Sequence, residues 1–547
     1  MIRYDAIVIG AGHNGLVCAA YLARAGRRVC VLEKAGVLGG CATTESLVDG
    51  HPEYRFNRGA IDLINIQGTP IIDDLELASH GLKLIYHDPL WYFPFRDGSA
   101  ITFYRDVDRT CESIARVSKE DADGYRRFND MWDGMMALMA PFDYGPAPSL
   151  AQLGALASAA GEDGDALVWV LMSSPRELIR SYFRSPHMQG VMAWMGVQAG
   201  TPPDQPAAAL ALTLMTVSHH NGMARAEGGM SALSTALRSY VEAHGGEVHL
   251  EREVTEVLLN GGGTSVRGVV AGGESFEAPI VVSAIDARRV FGDLIKQSVL
   301  GAQLEHRVAN GHADYPSLFK VDVALSGTPK IETPDGEAGL VASINMAESY
   351  EHVARAFTDY ARGIAAPDPP LMCAVPSVLD RTLAPENGQT LWLSQWTPAR
   401  LWHTASEAER EACADEMVEV FARYAPNTAN LIVGRRITTP ADRQAITGNL
   451  NGNPFQLDMS LDQSLRFRPA PGLADYKTPV GGLYLTGSGT HPGGGVTGVP
   501  GYNTAHAILD RANATNRPGR AGIGRTAGQL RRAASMYRAW RELRKVM

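Results

Sequence analysis

No two of the six cysteines (Cys18, Cys30, Cys41, Cys111, Cys373, Cys413) stand in CxxC spacing. That excludes a dithiol redox centre, a zinc knuckle and a disulfide framework, and leaves reduced thiols in a cytoplasmic protein as the plain expectation. No apolar run reaches the roughly 18 residues that would cross a bilayer. No secretory signal opens the chain, because its first apolar stretch, Ala6 to Ile9, leads straight into a glycine turn. Basic residues are not in excess: the net charge of −9 argues against a nucleic-acid partner. Histidines do not recur with acids at ligand spacing, so no metal is expected.

Glycine is plentiful. Its 57 copies, in 547 residues of 45% hydrophobic composition, point to a large α/β enzyme with many tight turns. The opening is the most informative part. Asp5 to Ile9 is a short β-branched run, Gly10-Ala11-Gly12-His13-Asn14-Gly15 follows, and Leu16 to Ala25 is small and apolar enough for a helix packed on a sheet. Arg28 to Leu32 is the second strand, with Glu33 at its end, 23 residues after Gly10. Gly10 permits the turn, Gly12 lets backbone approach a diphosphate, and Gly15 allows helix and strand to touch. The helix N-terminus then offers free N–H groups to the phosphates, and Glu33 accepts from ribose hydroxyls. An acid there would repel the 2′-phosphate of NADP. His13 and Asn14, inside the loop, and Lys34, beside the acid, belong to the same cradle.

Three later segments separate FAD from NAD. Gly39-Gly40-Cys41-Ala42-Thr43 follows Glu33 closely. Near the other end, Gly482 to Gly487 is a buried strand ending in glycine, followed by Ser488-Gly489-Thr490-His491-Pro492-Gly493-Gly494-Gly495-Val496-Thr497 and an alanine-rich helix. Between them, Gly245 to Leu250, Val254 to Leu259, Val266 to Val270 and Ile280 to Ala284 read as a β-meander with a return strand. These segments resemble the flavin amine oxidase superfamily, and within it the phytoene-desaturase and carotenoid-isomerase branch. The resemblance spans Met1 to about Asp510. It implies non-covalent FAD, with Gly39, Gly40 and Thr43 along the diphosphate and ribityl chain, Val254 meeting the adenine, and Gly59 and Ala60 beside the ring. Ala284, Gly487, Ser488, Val496 and Thr497 complete that set. The helix starting near Val496–Thr497 would point its positive end at the flavin N1–C2 carbonyl. Arg58 either neutralises the reduced flavin or makes a structural ion pair. The lysine that many amine oxidases set opposite N5 is not identifiable.

The expected fold is a Rossmann-type (glutathione-reductase-like) α/β FAD-binding domain, residues 1–67, 224–289 and 443–515. An α+β substrate domain on an antiparallel sheet is inserted as 68–223 and 290–442. Leu90 to Phe95 and Ile101 to Tyr104 are neighbouring strands across the turn Asp97-Gly98. Ala207 to Val217 is an apolar helix, while 154–165 and 365–370 look like loops. Met131, Trp132, Met135, Met136 and Met139 recur at helical spacing, as a greasy tunnel lining would, or a plain core, or a homodimer face. His491 is the candidate acid–base residue, weighed against a role bracing the glycine loop. His219-His220 fall at a pocket wall or a surface turn.

Residues 516–547 carry nine basic residues against one acid, with Leu530, Tyr537, Trp540 and Leu543 on one helical face. Such a basic amphipathic helix either binds the inner face of an anionic membrane or docks on the acidic body. The expectation is an FAD-dependent oxidoreductase of a hydrophobic, polyene or isoprenoid-like compound, passing electrons to quinone or O2. A flavin amine oxidase, a non-catalytic or chaperone-like flavoprotein and a redox-neutral isomerase are its rivals.

Overall fold

The computed structural model describes residues 3–206 and 208–515; the basic segment 516–547 lies outside them, as does Ala207. Ala6–Ile9 and Val29–Leu32 are buried at every position, the condition of strands covered on both faces of a parallel sheet. Five such strands lie in the order Leu483–Leu485, Val281–Ser283, Ala6–Ile9, Val29–Leu32, Glu247–His249. All pairings are parallel, with Ile7 between Val281 and Cys30. The alternation along one strand divides the two cores. Ala6 and Val8 pack on helix α1 (His13–Arg24) and the helix Ser231–Ala243, while Ile7 and Ile9 pack on the meander Val254–Leu259, Val266–Ala271, Glu274–Glu277.

A second, mostly antiparallel sheet of seven strands runs in the order Ile432–Thr438, Ser317–Leu325, Gln389–Thr397, Leu371–Ala374, Ser343–Met346, Trp91–Pro94, Ala100–Phe103. Only Ser343–Met346 and Trp91–Pro94 pair in parallel. Phe319, Val321 and Val323 face the helix Glu407–Ala422 in one core. The alternate residues Leu318, Lys320 and Asp322 face the other way, toward the parallel-sheet domain. The second sheet thus presents an apolar back and a mixed front.

Helix α2 (Lys119–Asp143) carries the methionine stripe. Trp132 and Met135 are buried among Met188, Met192 and Trp194, with Met131 and Met139 at the margin, so this stripe packs a helical core. Residues 154–165 are not a loop but parts of two helices, Leu150–Ala160 and Glu162–Met172. Gly161, with φ of +62°, turns the chain between them, and a Cβ on Gly164 would lie 1.9 Å from Ala157 O. These glycines permit a tight helix crossing rather than breaking the helices. The expected helix 207–217 divides into a 3-10 turn, Ala208–Leu212, and a helix, Thr213–Asn221. Two elements run across the expected domain boundaries. The strand Met223–Ala226, paired with Leu84–His87, crosses the 223/224 boundary, and helix α3 (Pro440–Thr447) crosses 442/443.

Candidate functional site

A turn that must bring a helix onto a strand leaves no room for a side chain at the crossing. At Gly15 a Cβ would sit 2.2 Å from Gly10 O, and at Gly39 one would sit 2.2 Å from Ala42 O. Gly12 is different: a Cβ there meets no protein atom within 4 Å. Its space opens onto a cavity of ≈ 320 Å³. The cavity reaches from Glu33, Lys34 and Val254 to Leu318, Met372 and Phe455, and so spans both sheets.

The structure gathers on this wall nearly all the residues expected to hold the dinucleotide: Gly10, Gly12, His13, Asn14, Gly15, Glu33, Lys34, Gly39, Gly40, Gly59, Ala60, Val254, Ala284, Gly487, Ser488 and Val496. Glu33 accepts from Ala11 N at 2.7 Å and Ala35 N at 3.0 Å, which fixes the glycine loop to the second strand. The N-cap of α1 is Gly12, with no side-chain cap and no acid in the first turn, so its N–H groups are free for phosphate. His13 Nε2 and Asn14 Oδ1 are buried without hydrogen-bond partners. Burial pushes the His13 imidazole down to about 4, leaving it neutral with an N–H to donate. An orphaned His13 ring nitrogen, an uncapped helix and space where a Cβ would go are what a bound diphosphate would fill. The residues present therefore fit FAD.

Three expected residues stand elsewhere. Thr43 turns its hydroxyl to Ser231 Oγ at 3.2 Å, tying the doublet segment to the helix Ser231–Ala243. Thr497 Oγ1 accepts from Val499 N at 3.2 Å, at the start of the C-terminal helix α4 (Val499–Thr515). That helix begins after the expected Val496–Thr497, because Gly498, directly before it, has a φ of +72°. His491 is 3% exposed and absent from the cavity wall; its Nε2 bonds to Phe142 O at 2.8 Å, and burial lowers it to about 4. The geometry assigns it to bracing α2 against the glycine loop, away from acid–base chemistry. His219 is likewise buried rather than at a surface turn, bonded to Tyr125 OH at 2.7 Å and to Arg105 O at 3.0 Å.

Arg58 lines the cavity, yet its guanidinium pairs with Glu45 and donates to Gly40 O at 3.1 Å. Of its two expected roles the structural ion pair is the one formed. Sequence reasoning missed two cations. Lys320 is buried on the front of the second sheet, where Nζ donates to Asn57 O and Asp322 Oδ2, each at 2.6 Å, and burial lowers its pKa to about 8. The alternation Lys320-Val321-Asp322 reads like the solvent face of a strand, and only the neighbouring domain buries it. Arg443, on α3, lines the cavity with its guanidinium unpaired. Nothing in its local sequence marks it.

Comparison with known proteins agrees with this geometry. The model of the flavin containing amine oxidoreductases matches residues 15–505. The chain is 32% identical over 550 residues to pyridine nucleotide-disulfide oxidoreductase domain-containing protein 2 of Rattus norvegicus, with 93% of each chain covered. It is 24% identical over 500 residues to the phytoene desaturase (neurosporene-forming) of Rhodobacter capsulatus, covering 91% of this chain and 92% of that one. A solved structure of a putrescine oxidase variant shares the fold at a TM-score of 0.60 and 17% identity, over 93% of this chain and 99% of the other. Despite the wording of the first relative's name, all six cysteines here are free. A chain matched by the family model from its first glycine loop to its last helix, with both loops on one cavity, belongs to the flavin containing amine oxidoreductases.

Proposed function

We propose that this FAD-dependent oxidoreductase dehydrogenates a hydrophobic, isoprenoid- or polyene-like carbon skeleton and passes the electrons to quinone or O2. One observation carries the reading. Besides Gly59 and Ala60 the cavity wall includes Leu318, Met372 and Phe455, apolar side chains suited to holding a substrate with few polar handles. Bound FAD supplies the hydride acceptor. The protein's share is orientation: Gly59 and Ala60 leave room beside the ring, and the front of the second sheet sets the distance of the substrate. The desaturase relative supports the substrate class, since its name states that it acts on phytoene.

A second reading, a flavin amine oxidase, has Lys320 in its favour: a buried lysine bonded to Asn57, next to the Arg58–Gly59–Ala60 stretch. The two readings separate in one cuvette. Anaerobic addition of phytoene in detergent micelles is expected to bleach the flavin absorbance, and putrescine is not; the reverse result would overturn the proposal. Photoreduced protein is then exposed to air and to a soluble quinone. Rapid reoxidation by air marks an oxidase, and quinone-selective reoxidation marks a dehydrogenase. A flavin that responds to nothing would favour a non-catalytic carrier, and isomerised polyene without bleaching a redox-neutral isomerase. Within the same reading, segment 516–547 brings the enzyme to anionic membrane where such a substrate dissolves. Equal flotation with phosphatidylserine vesicles, with and without that segment, would remove this part.

A further inference from the structure

Arg443 is 1% exposed, lines the cavity, and has no hydrogen-bond partner on Nε, Nη1 or Nη2 among the described residues. A buried charge left in this state costs several kcal/mol, and native proteins pair it. No described carboxylate hydrogen-bonds to it, although Oδ1 of Asp322, whose charge acts on it, is itself unpaired. Glu45 is taken by Arg58, and Asp322 by Lys320. The Cys41 thiol lies beside the guanidinium and offers it only a weak sulfur acceptor, and Asp322 acts on it only at a distance.

The place of Arg443 along the cavity says which group of a bound dinucleotide it meets. Helix α3 crosses the cavity so that Ala445 O lies 3.5 Å from Lys34 Nζ, beside the ribose acid Glu33. Toward the other end, Arg443 Nη1 lies 3.5 Å from where a Cβ on Gly59 would be. That Cβ would also lie 2.8 Å from the carbonyl of Cys41, the residue after the glycine doublet. Across the doublet, a Cβ on Gly40 would lie 3.6 Å from Gly12 Cα, at the N-terminus of α1. Arg443 is therefore level with the doublet, between the ribose acid and the ring wall. In a dinucleotide the group at that level is the diphosphate.

We propose that Arg443 is the counter-cation of the FAD diphosphate, so that α3 clasps the cofactor from the side opposite the N-terminus of α1. The forked guanidinium donates to phosphate oxygens in bidentate fashion, while the helix N–H groups hold the other side. This rests on the cavity being the FAD site; it requires nothing of the substrate.

The test uses full-length protein stripped of flavin, with R443M, which keeps bulk without charge, and R443K. Dissociation constants are measured for FAD and for ADP-ribose, which shares the diphosphate and lacks the ring. R443M is expected to weaken both ligands by a similar factor, roughly 10- to 100-fold. R443K should fall between, since an ammonium keeps the charge without the fork. The flavin-free R443M protein should melt at a higher temperature than wild type, the reverse of what losing a structural arginine does. Weakened FAD with unchanged ADP-ribose would mean that Arg443 faces the ring, and no change in either that it faces substrate. Each overturns the proposal. If R443M does not fold, R443K carries the same two-ligand comparison. Wild-type protein that binds neither ligand would bring down the cofactor site itself, a distinguishable failure.

Discussion

At the scale of single residues, two glycines three positions apart have opposite consequences. A Cβ on Gly12 meets nothing in the protein, and its φ of −65° suits any residue. Gly12→Ala should therefore leave the melting of flavin-free protein within about 0.5 kcal/mol of wild type, while FAD retention on a desalting column falls. Gly15→Ala drives a methyl against Gly10 O and should cost about 1–3 kcal/mol of stability before any ligand is added. His491 gives a pH signature. Its imidazole is held down to about 4 from an ordinary 6.5, first by burial, so the unfolded chain binds the extra proton between those values. The neutral ring's contribution is complete above pH 6.5 and is lost as pH falls toward 4, by up to about 3 kcal/mol. His491→Gln keeps an N–H donor for Phe142 O and does not titrate. Urea denaturation of the variant should show a shallower fall in stability than wild type between pH 6.5 and 4.5. The residues legible in the sequence were those whose partner is backbone geometry, since a phosphate turn demands glycine at fixed spacing. Arg443 was not legible, because its neighbours Cys41 and Gly59 lie about four hundred residues away in the chain. Thr43 matched a pattern, yet its hydroxyl is spent on Ser231.

At the scale of elements, the strands and the opening helix could be read directly because burial on both faces leaves an uninterrupted apolar run. Helices with glycine inside them could not. Gly154, Gly161 and Gly164 read as breaks, whereas two of the three serve a turn and a close crossing between helices. The same device joins α1 to α4. A Cβ on Gly501 would lie 2.2 Å from Asn14 O, and Tyr21 meets Tyr502 edge-to-face at 5.0 Å between ring centroids. Gly501→Ala should lever α4 away from the first turn of α1. The expected result is a loss of about 1–3 kcal/mol in denaturant unfolding, with weaker FAD binding, because the displaced turn is the one that faces the diphosphate. Strand register, by contrast, was out of reach of the sequence. Nothing local reveals that Leu318 pairs opposite Trp396 while facing a cavity on another domain.

At the scale of the whole molecule, the cavity takes walls from both sheets, and a strand and α3 run unbroken across the boundaries expected from the sequence. Ligand binding should then stabilise the molecule as one unit. FAD at a hundredfold excess over its dissociation constant should add about 2.7 kcal/mol, read as a single calorimetric transition moving up. A scan in which only one of two transitions moves would contradict a shared wall. The architecture as a class was legible, since a nucleotide fingerprint, a meander and a closing glycine loop recur in order.

The edge strand Leu483–Leu485 completes a sheet whose first member is Ala6–Ile9. A ribosome must therefore release almost the entire polypeptide before both phosphate loops can meet. At ordinary elongation rates the earlier strands wait roughly half a minute or more for that last partner. Nascent chains arrested before position 483 should therefore carry no bound flavin.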